Sequence, residues 1–236
     1  MKLFSELRGS TVILQRWLIP GWQLHYLRSR AAHLIFDFDD AVYLRDSYSK
    51  KGHEHPRNHR RFRQTIAACD AVAAGNLELA SQAKKVVHDS RVHLIPTCVD
   101  LRKYPRNAGN PSDELELVWI GSSSTLQGIE AITPLLEGLG SRLPGLKIKI
   151  ICDRFPSFKN LQIIPVRWQD ATEVEELASS AIGFSWIPDD PWSRGKCGLK
   201  VLQYMAAGLP VLANPVGVQK EMVRQRENGF LVENEE

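Results

Sequence analysis

The stretch from Gly195 to Gly217, GKCGLKVLQYMAAGLPVLANPVG, decides the fold class. Glycines at 195 and 198 open it, a helical run from Leu199 to Ala207 follows, Gly208 stops the helix, and LPVLA reads as a buried strand. Loop, helix, turn and strand in that order build a parallel α/β sheet, whose ligands gather at the strand C-termini. A helix entered from a glycine-bearing loop leaves backbone N–H groups unpaired at the positive end of its dipole, where an anion can approach closely. Lys196 and Lys200 place two cations in the same turn, so the stretch reads as an oxyanion or phosphate site. Tight packing of a helix on a strand accounts for the same small and branched residues, and the residues alone leave both readings open.

Outward from that stretch, the chain alternates strand and helix. In the first half, Thr11 to Gln15 is a β-branched run, Trp17 to Arg30 has helical spacing, and Leu34 to Phe38 is a strand ending in Asp37, Asp39 and Asp40. A helix reaching Cys69, a strand at Ala71 to Ala74, a helix capped by Asn76 and a strand at Val92 to Pro96 complete it. Tyr104 to Asp113, rich in Pro, Asn, Gly and Ser, reads as a linker. Beyond it, strands at Leu115–Ile120, Lys147–Cys152, Leu161–Pro165 and Ile182–Ile187 alternate with helices at Leu126–Leu139 and Glu173–Ala178. Two Rossmann-like parallel-sheet domains, residues 1–105 and 114–236, follow from this order, with a switch point near the loops after Ile120 and Ile187.

Composition narrows the function. A net charge of +3, with no aromatics interleaved among basic residues, argues against nucleic acid as a partner. Four cysteines without CxxC spacing suggest neither a zinc ribbon nor a disulfide framework, which fits a reduced cytoplasm. Neither a membrane-spanning run nor a signal peptide is visible in the sequence.

The signature stretch resembles the donor-binding segment of glycosyltransferase family 4, retaining nucleotide-sugar transferases of GT-B architecture. Gly198, Gln203, Tyr204, Met205, Ala206, Gly208, Pro210 and Val211 match in register. Gly217, Glu221, Val223 and the run Asn228-Gly229-Phe230-Leu231-Val232 continue the pattern. HLIPTCVDLRKYP is similar to the family's segment closing the first domain, and LVWIGSSSTLQGIEAI to the one opening the second. The resemblance implies a UDP- or GDP-linked sugar as donor substrate, a glycan or lipid-linked acceptor, and no metal or other cofactor. It places Arg194, Gly195, Lys196, Cys197, Gly198 and Lys200 on the donor diphosphate and Gln203 on the ribose. Ser122, Ser123, Ser124 and Thr125 stand where many members carry an arginine and a lysine for the phosphates. The family's first glutamate, which touches the donor sugar, is Gly195 here, and its second is Gln203, whose amide oxygen still accepts a hydroxyl. The resemblance also implies a first domain lacking its opening strand and glycine loop, and a chain ending before the closing helices.

Further sites compete. In the family reading Asp39 and Asp40 are the candidate catalytic carboxylates, against an ordinary role as ion-pair partners. The run LIFDFDDAVY also fits a haloacid-dehalogenase-like phosphatase, with Asp37 as nucleophile, Asp39 as acid/base and Asp189 and Asp190 as the second metal-binding pair. A catalytically inert nucleotide-binding module is a further alternative, made plausible by the lost glutamate. His53, His55 and His59 have a metal-like spacing but sit among Lys and Arg, as in a solvated basic loop. Trp17 and Trp22, with Arg16, Arg28 and Arg30, suit either core packing or a peripheral contact at the inner face of the membrane.

Overall fold

The computed structural model describes residues 7–104 and 115–233, so most of the expected linker lies outside the described residues. The chain divides into two compact units, Met1–Thr97 with Asp189–Cys197, and Cys98–Pro188 with Gly198–Glu236.

The first unit carries four parallel strands in the order β1-β2-β3-β4: β1 Thr11–Gln15, β2 His33–Phe38, β3 Ala71–Ala74 and β4 Val92–Leu94. Helix α1, Gly21–Arg30, follows Pro20 and ends in Arg28 and Arg30, cations at the negative end of its dipole. Helix α2, Pro56–Ala68, starts where the His55 ring accepts from the Asn58 N–H and Pro56 presets the first turn. Asn76 caps α3, Leu77–Lys84, accepting from the Leu79 N–H at 2.8 Å. Alternate residues Phe36 and Phe38 fall on one face of β2, stack at 5.1 Å, and meet Phe62 of α2 edge-on. Trp17 and Trp22 do not join this core: the helix expected from Trp17 starts only at Gly21, which leaves Trp17 in the preceding loop at 68% exposure, and Trp22 is 73% exposed because α1 turns only Leu24 fully inward.

The second unit is a six-stranded parallel sheet in the order β10-β9-β8-β5-β6-β7. Its strands are β5 Glu116–Ile120, β6 Lys147–Cys152, β7 Gln162–Arg167, β8 Ile182–Ser185, β9 Val211–Ala213 and β10 Gly229–Leu231. Every residue of β5 is buried, since helices cover both faces. Leu117 and Trp119 pack with Ile148, Ile150, Leu126 and Leu136 on one face, and Val118 and Ile120 with Ile151, Val201 and Tyr204 on the other. The single helix expected over Leu126–Leu139 is two, α4 Ser123–Ala131 and α5 Thr133–Arg142, because Pro134 cannot continue the ladder and instead opens a new first turn. The strand expected at Leu161–Pro165 runs to Arg167, with Pro165 tolerated because β7 is an edge. Helices α6 Glu173–Ala178, α7 Pro191–Arg194, α8 Leu199–Ala206 and α9 Gln219–Met222 complete the elements, α7 belonging to the first unit.

Strand order reverses between β5 and β8, which pair only through Leu117↔Ile182 and Val118↔Gly183. Beyond that point a hydroxyl takes over: Tyr204 of α8 accepts from the Ile120 N–H and donates to the Phe184 carbonyl, both at 3.1 Å. Its ring lies so close to β8 that a Cβ on Gly183 would stand 2.3 Å from it, so only glycine fits there. No helix among the described residues is long and apolar enough to cross a membrane.

The buried pair Lys149 and Glu116, at 3.4 Å and with side chains 8% and 5% exposed, gives a stability test. Lys149→Met should cost about 3–5 kcal/mol by stranding a buried carboxylate. Adding Glu116→Leu should recover most of that loss in urea unfolding, and a double variant as unstable as the single one would contradict the pairing.

Candidate functional site

Each unit gathers polar side chains at the C-terminal ends of its strands, where parallel sheets bind ligands. In the first unit these are Arg16 after β1, Asp39 and Asp40 after β2, and Gly75 and Asn76 after β3. The segment Asp189–Cys197 lies against them. Arg16, in a left-handed conformation with φ 55°, forks onto both oxygens of Asp39 and reaches Asp40 at 3.1 Å. Lys196 stands 4.0 Å from Asp40 and 5.7 Å from the Trp192 ring. Asn76 donates to the Lys196 carbonyl at 3.1 Å, and its amide lies 3.6 Å from Cys197 Sγ. Burial pushes the Asp40 carboxyl up, partly opposed by Lys196 and Arg16, and burial with the neighbouring Asp39 pushes Asp37 up too. Both Asp39 and Asp40 are therefore engaged by cations, and either can meet a substrate only by loosening an ion pair.

The helix expected from Leu199 starts there, and a short helix precedes it in the same loop. Gly195 closes α7, and Gly198, with φ 69°, precedes α8. Lys196 and Cys197 thus group with the first unit, Gly198 and Lys200 with the second. Gly195 is tightly packed: a Cβ there would lie 2.7 Å from Ala41 Cβ and 3.2 Å from Leu79 Cδ2. The space that a glutamate would need in the family pattern is already filled.

The other expected sites resolve into ordinary contacts. Asp190 caps α7 by accepting from the Ser193 N–H at 2.8 Å, and Asp189 pairs with Arg194 at 2.8 Å, which removes the second metal pair of the phosphatase reading. His55 caps α2 and His59 lies 3.4 Å from Glu54, and the basic segment passes from loop into the helix reaching Cys69 as expected. Among the described residues no three His, Cys, Asp or Glu side chains cluster as metal ligands.

In the second unit a cavity of about 510 Å³ opens beside the switch point, lined by residues that include Gly121, Ser122, Asp153, Trp168, Lys200 and Gln203. Lys200 Nζ lies 4.2 Å above the Trp119 ring and 3.4 Å from Thr125 Oγ1. Two helices begin there, and they differ. At α4, the Ser123 N–H is taken by Asp153 at 2.8 Å, the Ser122 and Ser124 hydroxyls bond each other at 2.8 Å, and Thr125 donates to the Ser122 carbonyl. Hydrogen bonds from Ser123 also hold the Asp153 carboxyl below its usual range. At α8 no side chain caps the first turn, and Lys200 stands in it. The uncapped first turn with a cation in it is therefore at Gly198–Lys200, whereas the serine loop is internally satisfied. Sequence reading missed Trp168, Asp153 and Glu173, which come from loops and a helix start far from the signature.

Paired parallel sheets of this kind define the GT-B class of fold. Residues 165–236 match the family model described as Glycosyl transferases group 1, which bears out the resemblance at the level of that group. No curated protein sequence matches the chain. Among solved structures the chain resembles TarM at 12% identity and a TM-score of 0.69, over 99% of this chain and 47% of that one. It resembles sucrose-phosphate synthase from Thermosynechococcus elongatus at 17% and 0.72, over 94% and 60%. It also resembles the pneumococcal O-GlcNAc transferase GtfA, solved with UDP and GlcNAc, at 13% and 0.68, over 99% and 48%. The chain spans about half the length of TarM and GtfA.

Asp40 supplies a pH test. Its carboxyl sits above the ordinary value of 3.8, so it favours folding below that value and opposes it as pH rises through the raised one. Lys196→Ala removes a group that lowers it, so the variant's melting temperature should fall further behind wild type as pH rises above about 4. A deficit that shrinks with rising pH would contradict the contact.

Proposed function

We propose that this chain serves a glycosyltransferase of the family 4 type, which moves a sugar with retention from a UDP- or GDP-linked donor to a glycan or lipid-linked acceptor. One observation carries the reading: the cavity at the switch point of the second unit is lined by Trp168, Glu173, Leu199, Lys200 and Gln203, all inside the segment that matches the group 1 family model. The donor diphosphate lies at the uncapped first turn of α8, where backbone N–H groups and Lys200 oppose its charge. As the sugar leaves, that charge grows on the diphosphate, and fixed dipoles and Lys200 stabilise it without a resident metal. Gln203 takes the ribose. Asp40 is the better general acid/base candidate of the two carboxylates, since burial already pushes it up. The exposed Trp17 and Trp22 support a peripheral contact with an anionic membrane surface on the cytoplasmic side.

A second reading, an inert module that binds nucleotide without transferring sugar, is favoured by Gly195. Its packing against Ala41 leaves no room for the carboxylate that touches the donor sugar in the family pattern.

Calorimetry with UDP and GDP tests the first reading. Wild type should bind at least one of them, and Lys200→Ala should weaken it by about 1.5–3 kcal/mol, one charge-assisted contact. Lys196→Ala should weaken it less. Equal affinity in wild type and Lys200→Ala would falsify the phosphate site at α8. Release of labelled sugar from a UDP- or GDP-linked donor, unchanged by EDTA, separates the enzyme from the inert module, which would bind and release nothing.

A further inference from the structure

The cavity of the second unit contains a carboxylate that the family pattern does not supply. Glu173 opens α6 and lines the cavity. Its Oε2 accepts from the Trp168 indole N–H at 2.6 Å, and its Oε1 accepts from the Gln203 amide at 2.7 Å. An ionised carboxylate only accepts, so it dictates which end of the Gln203 amide faces it: the NH₂ group points to Glu173 and the carbonyl oxygen points elsewhere. Trp168, anchored through its ring nitrogen, keeps Glu173 from turning away. A carbonyl oxygen has two lone pairs, so Gln203 still has accepting capacity toward the cavity.

We propose that Glu173 is a positioning residue: it locks Gln203 with its carbonyl oxygen toward the bound nucleotide, so that the neutral amide accepts a ribose hydroxyl as the glutamate of the family pattern would. The proposal rests on the donor-binding reading above. It explains how the chain tolerates glutamine at position 203. An unrestrained amide presents NH₂ or oxygen with nearly equal shape, whereas the Glu173 carboxylate selects one orientation. The charge missing at position 203 reappears one layer back, where it accepts from the amide and not from the ligand.

The test measures ribose selectivity in the full chain, by calorimetry with UDP, 2′-deoxy-UDP and 3′-deoxy-UDP, or with GDP and its deoxy forms if GDP binds instead. Wild type should prefer the full ribose over at least one deoxy form by about tenfold, the size of one hydrogen bond. Glu173→Ala should bring that preference to about one while leaving the fold intact by circular dichroism. The exchange pair Glu173→Gln with Gln203→Glu should restore it, since glutamine then donates to a carboxylate that accepts from the ribose. If Glu173→Ala keeps the wild-type preference, or the exchange pair is no better than Glu173→Ala, the proposal is overturned while nucleotide binding stands. If wild type binds neither UDP nor GDP, the donor-binding reading fails and takes the proposal with it.

Discussion

The second unit depends on one phenolic hydroxyl. Parallel neighbours normally share a full ladder, yet β5 and β8 share only two residue pairs before their paths part. Separation there would leave the Ile120 N–H and the Phe184 carbonyl buried and unpaired, each at a cost of about 1–3 kcal/mol. Tyr204 meets both with one oxygen, from a side chain that is fully buried. The strands can therefore diverge where the sheet reverses direction, and the loops after them open a cavity instead of closing over it. Gly183 is the complement of that arrangement, flat enough for the ring to lie on. Packing, hydrogen bonding and the ligand-sized opening are three consequences of the same contact.

The first unit handles charge differently. Its strand ends carry two adjacent carboxylates that would repel each other in a half-buried place, and Arg16 and Lys196 offset that cost. Arg16 adopts a left-handed backbone to do so, an uncommon conformation for a residue with a side chain. Lys196 arrives from far along the sequence, which ties the segment around α7 to a sheet built from the first hundred residues.

The fold was largely legible in the sequence because its signals are local. Alternating Phe36 and Phe38, the Asn76 cap, the unbroken apolar run of β5 and the Gly208 stop each need only a few neighbours to be read. The break before Thr133 was missed because apolar spacing runs smoothly through it, although Pro134 marks it. Trp17 and Trp22 could not be placed from sequence for a related reason: size argues for burial, while the start and register of α1 decide exposure. The site was legible in part. Gln203 and Lys200 stand in a contiguous motif, but Trp168 and Glu173 follow β7 and join them only through the sheet's topology. Nothing in their local sequence marks them. The signature loop misled in one respect, because nearness in sequence of Lys196 and Lys200 concealed that they pack in different units.

Gly195 bears on how the chain can change. A glutamate there would have to displace the methyl group of Ala41, and Ala41 follows directly on the Asp39–Asp40 pair that Arg16 and Lys196 hold. The Cβ of such a glutamate would also meet the Ala41 backbone nitrogen at 3.1 Å and Leu79 Cδ2 at 3.2 Å, so trimming Ala41 alone does not make room for it. Positions 195 and 41 are therefore coupled in packing, and substitutions at the two should not act independently on stability.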